Sequence, residues 1–170
     1  MTSEIHRTDI TWRLRDADRT QRLFITAFLV LLTCGYGIGL LFVGHITATT
    51  PQGITQQYLG TPENLQATEI RYAKSLQEMY TVLHNHILSL ALVLFAVGGI
   101  FYFTSIPRSI FKDTLIIEPF VAIATTFGGI WLTRYVSAYF SWLVFVSGIS
   151  MVGCYLVMVI VILKELWLKK

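Results

Sequence analysis

Residues 80–99 read YTVLHNHILSLALVLFAVGG. The stretch starts polar, with His84, Asn85 and His86, and ends as an uncharged run of leucine, valine, alanine and phenylalanine. Between residues 81 and 97 no glycine, proline or formally charged side chain interrupts it. An uncharged run of about 20 mostly apolar residues is what a helix needs to cross the hydrocarbon of a bilayer. The stretch therefore marks the place where a water-facing segment enters a membrane.

The rest of the chain fits that reading. Of its 170 residues, 54% are hydrophobic and 14% charged, and the mean hydropathy is +0.61. A soluble domain carries about a quarter charged residues, and a water-soluble core of this length cannot bury so much apolar surface. Residues 23–44, 115–133 and 141–163 are also long, apolar runs, and residues 84–104 complete a set of four spans. The expected fold is all-α, an integral membrane four-helix bundle. The net charge is only +3, and basic residues cluster beside the apolar runs. That pattern suits a lipid surface, and no nucleic-acid motif appears. Cys34 and Cys154 each fall inside an apolar run without a CxxC, and read as small packing residues. The first apolar run is too long for a signal-peptide core, and no small-residue cleavage pattern follows it.

Between the spans the chain changes character. Residues 1–22 are a basic tail with Ile10, Trp12 and Leu14, either an amphipathic segment on the membrane surface or a frayed end. In the first span Gly35 and Gly39 share a face, a spacing that lets another helix approach closely. Residues 45–60, HITATTPQGITQQYLG, read as an ordered loop with an extended piece at residues 46–50. Thr61-Pro62-Glu63 reads as a helix start, and nothing breaks that helix before Gly98-Gly99. One long second helix over residues 62–103 is expected, its first half projecting ~30 Å beyond the bilayer. On it Tyr72, Leu76, Met79, Leu83, His86 and Leu90 form one stripe, and Lys74 is spaced to pair with Glu78. Residues 105–114 are a basic turn, 134–140 an aromatic turn and 164–170 a basic tail. Arg7, Arg13, Arg15, Arg19, Arg22, Arg108, Lys112, Lys164, Lys169 and Lys170 lie on one side of the spans, against Arg71, Lys74 and Arg134 on the other. The positive-inside rule then puts both termini in the cytoplasm and residues 45–83 outside, in the periplasm if the membrane is a bacterial inner membrane.

The side chains with ligand chemistry gather at that outer face. His45 closes the first span, and His84 and His86 open the second, so antiparallel helices bring three imidazoles to one depth. Neutral imidazole binds zinc, copper or iron, and histidines from neighbouring helices hold haem in bundles. His84 and His86 point about 200° apart on a regular helix, so only one faces the bundle beside His45. The apolar stripe favours His86. A haem b site, a copper or zinc site, and ordinary interfacial residues with no cofactor all remain open. Met79, on the same stripe, is a soft copper ligand or, more commonly, packing. Glu118 is the one acid inside a span. It marks a proton or ion path, or it reaches the nearby surface and pairs with Arg108 or Lys112. Arg134 stands at the outer end of the third span, with Glu63, Glu69, Glu78 or an anionic headgroup as partner. Thr125, Thr126, Ser147 and Ser150 are expected to bond their own or a neighbouring helix. No nucleophile elbow, carboxylate pair, HExxH, P-loop or dinucleotide fingerprint is present, so catalysis by this chain alone is not expected.

In layout, with these histidines at helix ends, the chain resembles the four-helix membrane b-type cytochromes. The resemblance implies one haem on the outer side, held by His45 with His86 or His84. A second haem toward the other face would lack ligands, because only His6 lies there. Two functions follow. One is a redox or respiratory membrane protein that passes electrons between a quinone pool and an external carrier. The other is a non-catalytic accessory or scaffold subunit of a larger membrane complex, with no cofactor of its own. The small pairs Gly98-Gly99 and Gly128-Gly129, and an apolar stripe in need of a partner, speak for the second.

Overall fold

The computed structural model describes residues 12–61 and 70–168. After a 3-10 turn at Leu14–Asp16 come five α-helices: α1 (Arg19–Thr47), α2 (Pro51–Leu59), α3 (Leu76–Tyr102), α4 (Ile110–Tyr135) and α5 (Phe140–Trp167). No strand occurs among the described residues. The helices α1, α3, α4 and α5 have 29, 27, 26 and 28 residues and are long and apolar enough to cross a membrane. At about 1.5 Å per residue each exceeds a hydrocarbon core of about 30 Å. The all-α, four-span reading therefore stands.

Side-chain caps fix where the helices begin. Asp18 accepts from the Gln21 amide at 2.8 Å, and the Gln21 side chain accepts from the Asp18 amide at 3.0 Å. Thr50 caps α2 through the Gly53 amide at 3.0 Å, with Pro51 in the first turn. Ser75 and Glu78 form a reciprocal capping box at the start of α3. Ser109 takes the Lys112 amide at the start of α4. Each cap satisfies amide groups that the helix itself leaves without partners.

These caps revise two expectations. Residues 45–60 are not a loop with an extended piece. The first helix runs through Thr47, and α2 follows at once from the Thr50-Pro51 start. Nor is there one continuous helix over residues 62–103. Residues 70–75 are not helical, and α3 starts only at Leu76. Of the expected Thr61-Pro62-Glu63 start, Pro62 and Glu63 lie outside the described residues. Tyr72 consequently stands off the helix and exposed, while Met79 is fully buried. Lys74 does pair with Glu78, at 2.8 Å, but across the start of the helix.

The helices α4 and α5 form the central pair. Leu115, Pro119, Ala122, Thr126, Gly129 and Thr133 are buried on α4, and Val144, Ser147, Met151, Tyr155, Met158 and Ile162 on α5. The steps of three and four residues on both sides are those of helices packed at a shallow angle. A Cβ at Gly129 would lie 2.9 Å from Val144 Cγ2, so glycine sets the closeness of that contact. Against this pair α3 lays Leu94, Val97 and Phe101. By contrast α1 touches α5 along a narrow line, where Thr33 Oγ1 meets the Tyr155 hydroxyl at 2.9 Å and Tyr36 stacks on Tyr155 at 4.3 Å. Only 6% of the apolar window of α1 is buried within the chain, against 44% for α4. The short α2 packs on α1, α4 and α5 at the end where α1 and α4 finish.

Candidate functional site

At the α2 end, arginines clamp backbone. Arg71 donates through Nη1 to the carbonyl of Ile46, in the last turn of α1, and to Gln57 Oε1 on α2 at 3.0 Å. The backbone of Arg71 pairs with Thr61, and the Lys74 amide bonds the Tyr58 carbonyl at 3.0 Å. The Arg134 Nε donates to the Lys74 carbonyl at 2.8 Å, and its guanidinium lies over the Tyr135 ring. A guanidinium at a helix C-terminus meets carbonyls the helix cannot satisfy and the negative end of its dipole. Together these contacts tie residues 70–75 and α2 to the ends of α1 and α4. The carboxylate expected to meet Arg134 is not Glu78, which is engaged by Lys74 and Ser75. Glu63 and Glu69 lie outside the described residues. Burial of Tyr58 beneath this layer pushes its phenol up to about 12.

The three histidines sit at the same end but do not converge. His45 is exposed in the last turn of α1, and α1 packs against α2 and α5. His84 and His86 are exposed on α3, which packs against α4 and α5. The Nδ1 of His86 lies 2.9 Å from the Val82 carbonyl, and its ring meets Phe127 of α4 at 5.7 Å. Among the described residues no three His, Cys, Asp or Glu side chains come together closely enough to hold a metal ion. Met79 is buried as packing.

Glu118 also differs from expectation. Its anticipated partners are taken: Arg108 donates to the Tyr102 hydroxyl, and Lys112 to three carbonyls of the α3–α4 turn. The Glu118 Oε2 is buried without a hydrogen-bond partner. Cys34, on α1, is exposed. Thr126 and Ser147 bond each other at 2.7 Å across α4 and α5, and Thr125 bonds its own helix.

The opposite end of the bundle holds residues that the sequence reading passed over. Glu165, counted with a basic tail, is buried on α5, which runs on through Trp167. Lys112, counted with a surface turn, is buried on α4. A signal for both was available. Lys112 lies three residues before Leu115, and Glu165 three after Ile162, so each continues the buried repeat of its helix.

None of these groups forms a nucleophile and base in contact. The arrangement is one of anchoring, with charged side chains gripping backbone at both ends of the bundle. Comparison with curated proteins and with solved structures gave no match. A family model does match, over residues 48–170, which takes in α2 to α5 with His84 and His86 and leaves α1 and His45 outside it. By that match, the chain belongs to the Aq_1264_TM family, a transmembrane helical domain.

Proposed function

We propose that the chain is an accessory subunit of a larger membrane complex, a scaffold whose α1 docks against a membrane helix of a partner protein. One observation carries this reading. Only 6% of the most apolar part of α1 is buried within the chain, the least of the four spans, and its Gly35, Gly37 and Gly39, like Gly99, Gly128, Gly148 and Gly153 on the other spans, have nothing within 4 Å of where a Cβ would stand. A glycine inside a helix costs about 1 kcal/mol relative to alanine, and no contact within this chain offsets it. Close approach of another helix is what small residues in a span permit. The excess of lysine and arginine beside both termini supports an orientation with them in the cytoplasm and the α2 end outside, and the membrane we propose is a bacterial inner membrane. Cys34, exposed and next to Gly35, is a natural crosslinking handle. Thiol crosslinking in native membranes should join Cys34 to another polypeptide, and native mass spectrometry should find it in fixed ratio. A clean monomer in both experiments overturns the reading.

A second reading rests on His86. The Val82 carbonyl can only accept, so His86 Nδ1 donates to it, and in a neutral imidazole the lone pair then falls on Nε2, at an exposed position. Metal-bound histidines are commonly oriented by such a bond. Here His45 with His86, or with His84 in its place, would hold a haem b, copper or zinc in a redox or respiratory assembly. Oxidised and reduced optical spectra, with elemental analysis of the same sample, test it. Cofactor content unchanged by alanine at both His45 and His86 would sink it.

A further inference from the structure

The end of the bundle opposite α2 is closed by the turn between α3 and α4, and two buried charges, one from α4 and one from α5, hold that turn. Lys112, 2% exposed, donates from Nζ to the carbonyls of Tyr102, Thr104 and Ile106 at 2.9, 3.0 and 3.0 Å. An ammonium has three donors, and all are used. Glu165, 1% exposed, accepts from the Ser105 amide at 2.7 and 2.9 Å and from the Ser105 hydroxyl at 2.7 Å. The cation thus takes carbonyls and the anion takes the N–H of one short piece of chain.

The same piece of chain seats the N-terminal segment. The Phe103 carbonyl accepts from the Leu14 amide at 2.9 Å, and the Trp12 ring meets the Phe103 ring edge-on at 5.6 Å. Leu14 and Ala17 are buried. From α1, Arg22 ties down the far side of the segment, with Nε on the Ala17 carbonyl at 2.9 Å and Nη2 on the Arg15 carbonyl at 3.0 Å. Residues 12–18 therefore form a strap across the end of the bundle.

We propose that the turn is a latch, and that the strap stays seated only while Lys112 and Glu165 both grip it. The physical reason is asymmetry. Removing one of two buried charges leaves its backbone partners unsatisfied and the other charge uncompensated, so the turn is the structure that gives way. The strap is short and lies near the chain end, with Leu14 and Ala17 as its only buried side chains, which places it toward the low end of local stability. Its seat is the Phe103 carbonyl and ring together with α5, and the Phe103 part moves with the turn. The latch is a conformational device that decides whether residues 12–18, with Arg13 and Arg15, lie against the bundle or are free to meet something else.

Limited trypsin digestion of the full chain in lipid nanodiscs tests this. Cleavage after Arg13 and Arg15 reports release of the strap. Cleavage after Lys74, at the far end, reports the integrity of the fold. Leu14→Asp, which unseats the strap without touching the latch, sets the released rate. Glu165→Gln and Lys112→Met should each raise strap cleavage roughly tenfold, toward the Leu14→Asp rate, with Lys74 cleavage unchanged. Latch variants that cut at the wild-type rate, or a Leu14→Asp chain that cuts no faster, overturn the proposal. Where a variant also cuts faster at Lys74, amide exchange in the unaltered chain decides. Opening the latch frees both the Ser105 and Leu14 amides, so Leu14 must exchange at least as fast as Ser105. A Leu14 amide that outlasts the Ser105 amide overturns the proposal.

Discussion

At residue 53 the side chain is excluded by geometry. A Cβ there would stand 1.7 Å from the carbonyl oxygen of Thr47, the last residue of α1. The chain turns from α1 into α2 within three residues, two of which, Ala48 and Thr49, already take left-handed φ values of 49° and 50°. Such values are uncommon outside glycine, so little freedom remains for the turn to move away. Gly53→Ala should therefore cost ~3 kcal/mol or more, read as a lower Tm in detergent. Gly44→Ala is the control, because its Cβ would meet only Thr49 Oγ1 at an ordinary 3.4 Å. The same cap makes a prediction with pH. The Tyr58 phenol, ordinarily near 10, is raised to about 12 by burial. The folded protein thus keeps this proton more tightly than the unfolded chain. Its contribution to stability is complete below pH 10 and is lost as pH rises from there through about 12. Across that window the thermal stability of Tyr58→Phe should fall less than that of the unaltered chain.

Among the elements, α3 shows what decides a helix start. Thr61-Pro62-Glu63 and Ser75-Leu76-Gln77-Glu78 are both sound starts on local grounds. The second is the one whose full capping box is observed. The reason lies far along the chain. The Arg71 amide is taken by the Thr61 hydroxyl, the Lys74 amide by the Tyr58 carbonyl, and the Lys74 carbonyl by Arg134. The Arg71 and Lys74 amides, each a single donor so committed, cannot also serve an α-helix through residues 71–74, and no local pattern reveals these partners. Ser75→Ala should lower stability by about 1 kcal/mol, measured by thermal unfolding, and loosen the first turn of α3 in amide exchange. Thr81→Ala gives the contrast, since that hydroxyl only returns to its own helix at Gln77. The spans themselves were legible, because an apolar run needs only length and composition to be recognised. Their ends were not, because caps such as Asp18 with Gln21 carry α1 beyond its apolar run into polar sequence.

For the whole molecule, depth could be read from the sequence and lateral order could not. Antiparallel spans place His45, His84 and His86 at one end whatever the helix arrangement, and that is where they lie. Which helices neighbour one another depends on the faces they present, and here α4 and α5 pair at the centre while α1 lies along α5. A ligand set drawn from α1 and α3 therefore rests, in the sequence, on height alone. Glycine pairs have the same ambiguity, because their spacing permits a close neighbour without saying that the chain supplies one. Gly129 has its neighbour in Val144, whereas Gly35 and Gly39 have none. One kind of substitution should then have opposite effects at the two places. Gly129→Leu forces α4 from α5 and should cost ~3 kcal/mol or more, with a lower Tm. Gly35→Leu with Gly39→Leu places Cβ atoms where nothing of this chain lies within 4 Å, on an exposed part of α1, and gains helix propensity, so the purified chain should be as stable as before or more so. If α1 is the face on which a partner helix rests, that same pair of leucines holds the partner away and abolishes its co-purification. Full retention of the partner by this stable variant would show that α1 faces only lipid and that the scaffold acts through another surface.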